Sequence, residues 1–406
     1  MGRWLVSFFH CFLGADKRGA NQLQNEFRSE VSFIRYTYKH ITAILCVLPL
    51  VILLAANSAA ASAKPLVHHR HQVVGSDGVS ALVADMAHFG LIKQAPAKKK
   101  SFPVTITAGG YKETIPTLPT RILCLSASST QMLYAIGAMH QVVGVDRYSI
   151  YPKSAPRTSF TGYETSAEDY LPLHPDLVIL AFNESNMVAQ LNALHIPVLV
   201  MPAASDIHSA YIQLLQLGAA TGHSAAAKQE VVKLNRALQH AASEVGNRAN
   251  GLTYFIELSP SPLYTATSDT FIGSIFSMFK MKDIANAAGH GSNYPEINAS
   301  YLLKSNPDMV VLADTICCGQ SAKTFATRPG YSVLRAVHTH NVYGVNDSVA
   351  SEWGPHTLIE FANYLAGVLL KRYKTMRPHS FHVQNRVLVH SEKKSNLRLV
   401  LAPAYR

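Results

Sequence analysis

The chain has 406 residues, 48% of them hydrophobic and 15% charged, so it has material for two domains and is too apolar for a disordered protein. Its net charge of +11 lies at the ends: seven Lys/Arg against three Asp/Glu in residues 1–64, and nine against one in residues 371–406. Residues 65–370 therefore carry about −1, which argues against a nucleic-acid-binding domain. The five cysteines are too few for a disulfide framework.

An apolar run at residues 41–56 follows the basic residues Arg35 and Lys39 and precedes a stretch of small residues. This order is typical of a secretory signal, so residues 1–64 are predicted to be a signal peptide or an N-terminal anchor. Extended to residues 41–63, the apolar stretch is also long enough to span a bilayer. We therefore expect an exported protein in the periplasm or at the cell surface, with anchoring by residues 41–63 left open.

Residues 65–101 are predicted to be a linker, and residues 102–206 an N-terminal α/β lobe. The lobe opens with a hairpin pattern from Phe102. Continuous apolar runs then alternate with helical patterns, which is typical of strands in a parallel sheet. The first such run is Ile122-Leu123-Cys124-Leu125, in which Cys124 is expected to be a small core residue.

Residues 207–247 show almost no strand signal and are predicted to be a connecting helix: a leucine-containing run leads to Gly222, and Ser224–Val245 is rich in the helix formers Ala, Lys, Gln, Glu and Leu. Residues 248–372 form a second α/β lobe, and residues 373–406 a basic tail. The pattern His174-Pro-Asp recurs as Asn306-Pro-Asp, each time before an apolar run, which indicates that the lobes are similarly built. The predicted fold is α/β, with two Rossmann-like lobes joined by a single long rigid helix and a ligand cleft between them.

The globular part shows no nucleophile elbow, phosphate-binding glycine loop or metal-spaced Cys/His set, so no catalytic or metal site is predicted. Small polar and aromatic residues follow the predicted strands instead, and this combination suits a bulky organic ligand in a cleft, although core packing explains any one aromatic equally well. In the first lobe these are Ser126, Ser128, Tyr148, Tyr151, Tyr163, Phe182 and Asn183. In the second they are Ser259, Tyr264, Asp314, Thr315, Cys317, Cys318, Asp347 and Trp353.

The adjacent pair Cys317-Cys318 allows three interpretations: a vicinal disulfide, two thiols, or ligands for a soft metal. Adjacent residues close a disulfide only with strain. Loop cysteines without a function are the simpler alternative.

Residues 102–372 resemble the periplasmic binding proteins of ABC importers for ferric siderophores, haem and cobalamin. The matching motifs are Phe102-Pro-Val-Thr-Ile-Thr, Pro119-Thr-Arg-Ile-Leu-Cys-Leu-Ser, Gly144-Val-Asp, Pro175-Asp-Leu-Val, Tyr264-Thr-Ala-Thr-Ser-Asp-Thr-Phe-Ile-Gly, Arg328-Pro-Gly-Tyr and Trp353-Gly-Pro. The resemblance implies a non-enzymatic solute receptor that needs no cofactor. It would capture a metal chelate (a ferric siderophore or cobalamin ahead of haem) and deliver it to a permease, as a monomer that binds no nucleic acid.

The resemblance also implies a permease-docking glutamate on each lobe, seven residues before the Pro of the Pro-Asp motif. In the first lobe this residue is Glu168, whereas Ser300 stands at the equivalent place in the second, with Glu296 nearby but out of register. Two alternatives stay open: a membrane-anchored ligand sensor, and an enzyme on the same two-lobed scaffold with Cys317 and Cys318 as its candidate reactive centre.

Overall fold

The computed structural model describes residues 92–94, 102–289 and 291–376. The predicted signal or anchor lies outside these residues, as does the tail beyond Met376. Within the described ranges, no helix combines the length and apolarity needed to cross a bilayer. Residues 92–94 fall inside the predicted linker but form a strand, so that prediction was wrong there.

The N-terminal lobe begins with a small antiparallel sheet and continues into a four-stranded parallel sheet of order β5-β4-β6-β7. The apolar strands β4 and β6 lie at its centre and are buried along their whole length, as expected for a sheet covered on both faces. The strands are β1 (Ile92–Gln94), β2 (Val104–Ala108), β3 (Tyr111–Ile115), β4 (Ile122–Leu125), β5 (Val142–Val145), β6 (Leu177–Leu180) and β7 (Val198–Val200). The helices are α1 (Ala127–Ala135) and α2 (Met187–Ala193), with 3-10 turns at Ala138–Gln141, Ala167–Leu173 and Glu184–Asn186.

Residues 207–247 form two packed helices, α3 (Ile207–Ala220) and α4 (Ser224–Val245), and not the single helix predicted. The break falls at Gly222, whose φ of +77° is a left-handed conformation that favours glycine. The two helices approach closely at Gly218, where a Cβ would overlap the Cβ of Ala227. The connection between the lobes is therefore α4 alone, which at 22 residues is about 33 Å long.

The C-terminal lobe carries a parallel sheet of order β11-β8-β12-β13, the same order of crossings as in the first lobe. Its strands are β8 (Thr253–Glu257), β9 (Ser259–Pro260), β10 (Leu263–Tyr264), β11 (Lys282–Asp283), β12 (Met309–Leu312) and β13 (Val342–Gly344). Its helices are α5 (Phe271–Met278), α6 (Ala299–Ser305), α7 (Ala322–Ala326), α8 (Arg335–His338), α9 (Ser348–Ser351) and α10 (Pro355–Met376), with 3-10 turns at Ala285–Ala288 and Tyr331–Val333. Helix α10 passes the predicted lobe boundary at residue 372.

The repeated Pro-Asp motif performs the same task in both lobes. Asp176 accepts hydrogen bonds from the backbone N–H groups of Thr120 and Arg121, at 2.7 and 2.9 Å, and so fixes the start of β4. Asp308 accepts a bond from the backbone N–H of Thr253 at 2.9 Å, at the start of β8. The similar construction of the two lobes that the repeat indicated is present in the structure, and the predicted α/β fold class is confirmed.

One continuous apolar core extends from β2 through α3 and α4 to α10, so both lobes share it. A smaller cluster covers the outer face of each sheet. The shared core restricts motion about α4, because separating the lobes would expose its apolar side chains.

Candidate binding site

Helix α1, which follows the carboxyl end of β4, bonds to the segment between α9 and α10 of the second lobe at a buried junction, where two predicted site residues are partners. Ser126 follows β4 and caps α1, accepting the backbone N–H of Ser129 at 3.2 Å. Ser128, in the first turn of α1, accepts a bond from the backbone N–H of Trp353 at 3.0 Å. The Trp353 indole N–H donates to Gln213 Oε1 at 2.6 Å. Ser128 and Trp353 thus close the junction between lobes instead of lining an open cleft.

A second set of bonds across this junction is centred on Gln131 of α1. Its amide nitrogen donates to the Glu352 carboxyl and to the Thr357 hydroxyl, while its carbonyl accepts the backbone N–H of Thr357 at 3.1 Å. Gly354 permits this approach, because a Cβ there would overlap the Gln131 side chain. Burial raises the pKa of Glu352 to about 7, against the opposing effect of its hydrogen bonds to Thr357 and Gln131.

Sequence reasoning missed Gln131, Gln213 and Glu352. Their signal was present, because both glutamines interrupt apolar helical runs. A buried amide needs hydrogen-bonding partners, and that requirement points to a polar contact between elements.

Three of the predicted aromatics form a half-buried group at the end of the first lobe's sheet. The rings of Tyr163 and Phe182 lie 4.7 Å apart, and Tyr148 stands close enough to raise the pKa of Tyr163 further, after burial as the main cause. The backbone N–H of Tyr148 donates to Asp146 Oδ1 at 2.9 Å, which fixes the loop after β5. Asn183 lies beside this group and accepts the backbone N–H of Val188, so it shapes the loop after β6.

Two other predicted aromatics lie elsewhere. Tyr151 stacks on His356 of α10 at 3.8 Å and meets Tyr134 edge-on at 5.6 Å, away from the group around Tyr163. Tyr264 is 8% exposed, pairs with Ser259 in the β9–β10 hairpin and belongs to the shared core. Its role in the described structure is packing.

The loop after β12 is held by Asp347, whose carboxylate accepts backbone N–H bonds from Ile316 at 3.0 Å and Cys317 at 2.7 Å. This arrangement presents Ile316, which is 70% exposed. Cys317 is a free thiol whose Sγ lies 2.8 Å from the Sγ of Cys318. Burial, and then Asp347, raise the pKa of Cys317 to about 12.

Beneath this loop lies a buried acidic pair at the ends of β8 and β12. Arg328 makes a bidentate ion pair with Glu257, with both N···O distances 2.6 Å. The buried carboxyl group of Asp314 lies within hydrogen-bonding distance of the Glu257 carboxylate. Burial and the charge of Glu257 raise the pKa of Asp314 to about 9, so it carries a proton at neutral pH. The described residues hold no group of His, Cys, Asp and Glu side chains suited to a metal ion.

The two predicted docking glutamates are both exposed, but Ser300, and not Glu296, stands at the place in the second lobe that Glu168 has in the first. Glu168 is exposed at the start of the 3-10 turn before β6 and bonds to Ser166. Glu296 is exposed just ahead of α6, the helix before β12, and Ser300 is exposed in the first turn of that helix. In each lobe an exposed glutamate therefore precedes the third strand of the parallel sheet, which is β6 in the first lobe and β12 in the second.

Comparison with known proteins places this architecture in a family. A structure of a periplasmic solute-binding protein from Staphylococcus epidermidis, described as possibly iron-binding, matches with a TM-score of 0.55 at 22% identity, over 62% of this chain and 98% of that one. An ABC transporter substrate-binding lipoprotein of Bacillus subtilis is 32% identical over 288 residues, 68% of this chain and 88% of that protein. A cobalamin-binding protein of Halobacterium salinarum is 28% identical over 270 residues, 63% of this chain and 71% of that protein. The sequence profile of the family described as "Periplasmic binding protein" matches residues 122–349, so the chain belongs to that family.

Proposed function

We propose that this chain is the extracytoplasmic solute-binding protein of an ABC importer and that it captures a bulky metal chelate between its two lobes. The observation that carries the proposal is a pair of parallel sheets of the same strand order in two lobes that are joined by the bonds Ser128–Trp353 and Gln131–Glu352. Ligands of open α/β sheets bind at the carboxyl ends of the strands. A cleft built from two such ends suits a ligand that contacts both lobes at once.

The ligand class follows from the surfaces at those ends. Tyr148, Tyr163 and Phe182 supply aromatic area in one lobe, and Ile316 supplies an exposed apolar side chain in the other. Such surfaces suit the organic periphery of a chelate, whose metal already has its own ligands and needs none from the protein. Among ferric siderophores, cobalamin and haem, cobalamin is the first candidate, because a cobalamin-binding protein is among the relatives.

The proposal is tested by titrating the purified protein with cyanocobalamin, a ferric hydroxamate and haem, while the fluorescence of Trp353 is recorded. We expect saturable quenching by at least one of the three. Phe182→Ala should weaken that binding about fivefold, because an aromatic contact contributes on the order of 1 kcal/mol. Tyr364→Leu, a change on the exposed side of α10, is the matched control and should leave the affinity for the chelate unchanged. No saturable binding to any of the three overturns the proposal.

Delivery to the permease is proposed to run through Glu168 and Glu296. Both are exposed and lie ahead of the crossover into the central strand of their lobe. Glu168→Ala should impair uptake of the chelate in cells and leave its affinity for the purified protein unchanged. The same change at Glu244, an exposed acidic residue of α4, is the control. A large loss of affinity in Glu168→Ala would refute a docking role.

The enzyme alternative gains no support from the one reactive-centre candidate. With its pKa raised to about 12, Cys317 stays a protonated thiol at neutral pH, and the thiolate is the nucleophilic form. The sensor alternative depends on residues 41–63, which lie outside the described residues. We propose that the protein acts as an exported monomer without nucleic acid or cofactor.

A further inference from the structure

A recess of about 320 Å³ lies where α1, α4 and α10 come together, separate from the aromatic group around Tyr163. It takes one wall from the first lobe, through Tyr134 and Tyr151, and one from the second, through His356 and Glu360. The connecting helix closes it with Glu230 and Lys233. Its volume is at the lower end of the range for small-molecule sites.

The aromatic surfaces of the recess favour a flat or cationic ligand. Tyr151 and His356 stack nearly parallel, at 5° between planes, and Tyr134 meets Tyr151 edge-on. The Tyr134 side chain is 45% exposed, so its ring is available to a bound molecule. Exposed tyrosine faces attract cations through the negative potential of the ring.

The charged side chains around the recess favour a ligand of positive charge. Glu230 is 9% exposed and is paired at 3.2 Å with Lys233, whose side chain is 71% exposed and points toward solvent. Glu360 adds a second carboxylate, 3.4 Å from His356. Glu230, Glu360 and Lys233 thus place two carboxylates and one ammonium group around the recess, so these three side chains carry a net negative charge.

We propose that this recess is a second binding site, for a small aromatic cation, distinct from the chelate cleft. An occupant contacts both lobes and the connecting helix. Gln131 lines the recess and is also the residue that bonds Glu352 and Thr357 across the lobe junction. Binding here is therefore coupled to the junction, and by linkage to any ligand whose affinity depends on the angle between the lobes.

The test uses 2-phenylethylammonium as the probe and the purified protein without chelate, so that it does not depend on the proposed function. Calorimetry should detect saturable binding of the probe. Phenylacetate, with the same ring and the opposite charge, and butylammonium, with the charge and no ring, should bind at least about tenfold more weakly. Equal binding of phenylacetate would overturn the proposal.

Variants that are expected to change the affinity for the probe in opposite directions test whether the probe binds in this recess. Glu230→Gln and Tyr134→Leu should each lower the affinity for the probe about tenfold. Lys233→Met should raise this affinity, because it removes the competing ammonium group. Tyr111→Leu, at an exposed tyrosine of β3, is the control. Thermal unfolding of each variant checks that it is folded. Probe binding that none of the three recess variants changes, or no saturable binding to wild type, would overturn the proposal.

Discussion

At the scale of single residues, the lobe junction depends on buried polar groups that have little freedom to change. Glu352 is 7% exposed and receives hydrogen bonds from two neutral side chains, Gln131 and Thr357. The charges that act on it are those of Asp146 and Glu360, both of which oppose its ionisation. A carboxyl group in this setting is more stable with its proton.

The stability of the protein should therefore depend on pH through Glu352. Its pKa rises from 4.5 to about 7 on folding, so its contribution is complete below pH 4.5 and is lost as the pH approaches 7. Glu352→Gln keeps an acceptor for Gln131 and removes the titration. We expect this variant to gain up to about 3 kcal/mol over wild type above pH 7, and to gain nothing below pH 4.5.

Urea unfolding of wild type and Glu352→Gln on both sides of this range measures the effect. Glu244→Gln, at a half-exposed position of α4, is the matched control and should behave like wild type at both. An equal pH dependence of wild type and Glu352→Gln would contradict the assignment.

The residues that could be predicted from sequence were those with a local signature. The repeated Pro-Asp pair indicated two similar lobes because it stands directly before an apolar strand in each, β6 and β12, although the backbone that Asp176 and Asp308 bind lies 56 and 55 residues earlier. The junction could not be predicted, because Gln131 and Glu352 are 221 residues apart and meet only once both sheets exist. Of the predicted site residues, Ser128 and Trp353 proved to be partners of one another.

At the scale of elements, the connection between lobes shows how a short local signal changes the architecture. Residues 207–247 have helix-forming composition throughout, and the break depends on one glycine with positive φ, Gly222. Gly218 allows α3 to approach α4 closely. The need for glycine at this position is apparent only once the position of α4 is known. Composition predicts that these residues are helical, whereas tertiary packing sets how many helices they form.

The start of α10 offers a direct test of how closely the lobes must approach. Gly354→Ala places a methyl group against the Gln131 side chain, which must move and break its bonds to Thr357 and Glu352. We expect a loss of about 1–3 kcal/mol in the free energy of unfolding. Gly367→Ala, in the same helix with open space around it, should instead be neutral or stabilising by about 0.5–1 kcal/mol. Urea unfolding compares the two, and equal effects would contradict the close approach described here.

At the scale of the whole molecule, the shared core and helix α4 predict that the lobes move little relative to each other. X-ray scattering of wild type should give nearly the same radius of gyration with and without bound chelate. Arg236→Pro, at an exposed position in the middle of α4, should break the helix and increase the radius, while Arg236→Ala should not. Wide closure of wild type on binding would show that α4 is not a rigid connection.

The bond between Ser128 and Trp353 also has a consequence for how the chain acquires its structure. These two residues are separated by 225 positions, and Gln131 and Thr357 by 226. A chain that emerges from its N-terminus exposes the end of its first sheet long before the segment that covers it is available. Contacts this distant in sequence form slowly, because a long loop must close first. Until nearly the whole second lobe has been synthesised, Ser128 and Gln131 of the first lobe therefore have no partners there and face solvent. During this interval the chain is most susceptible to aggregation and proteolysis.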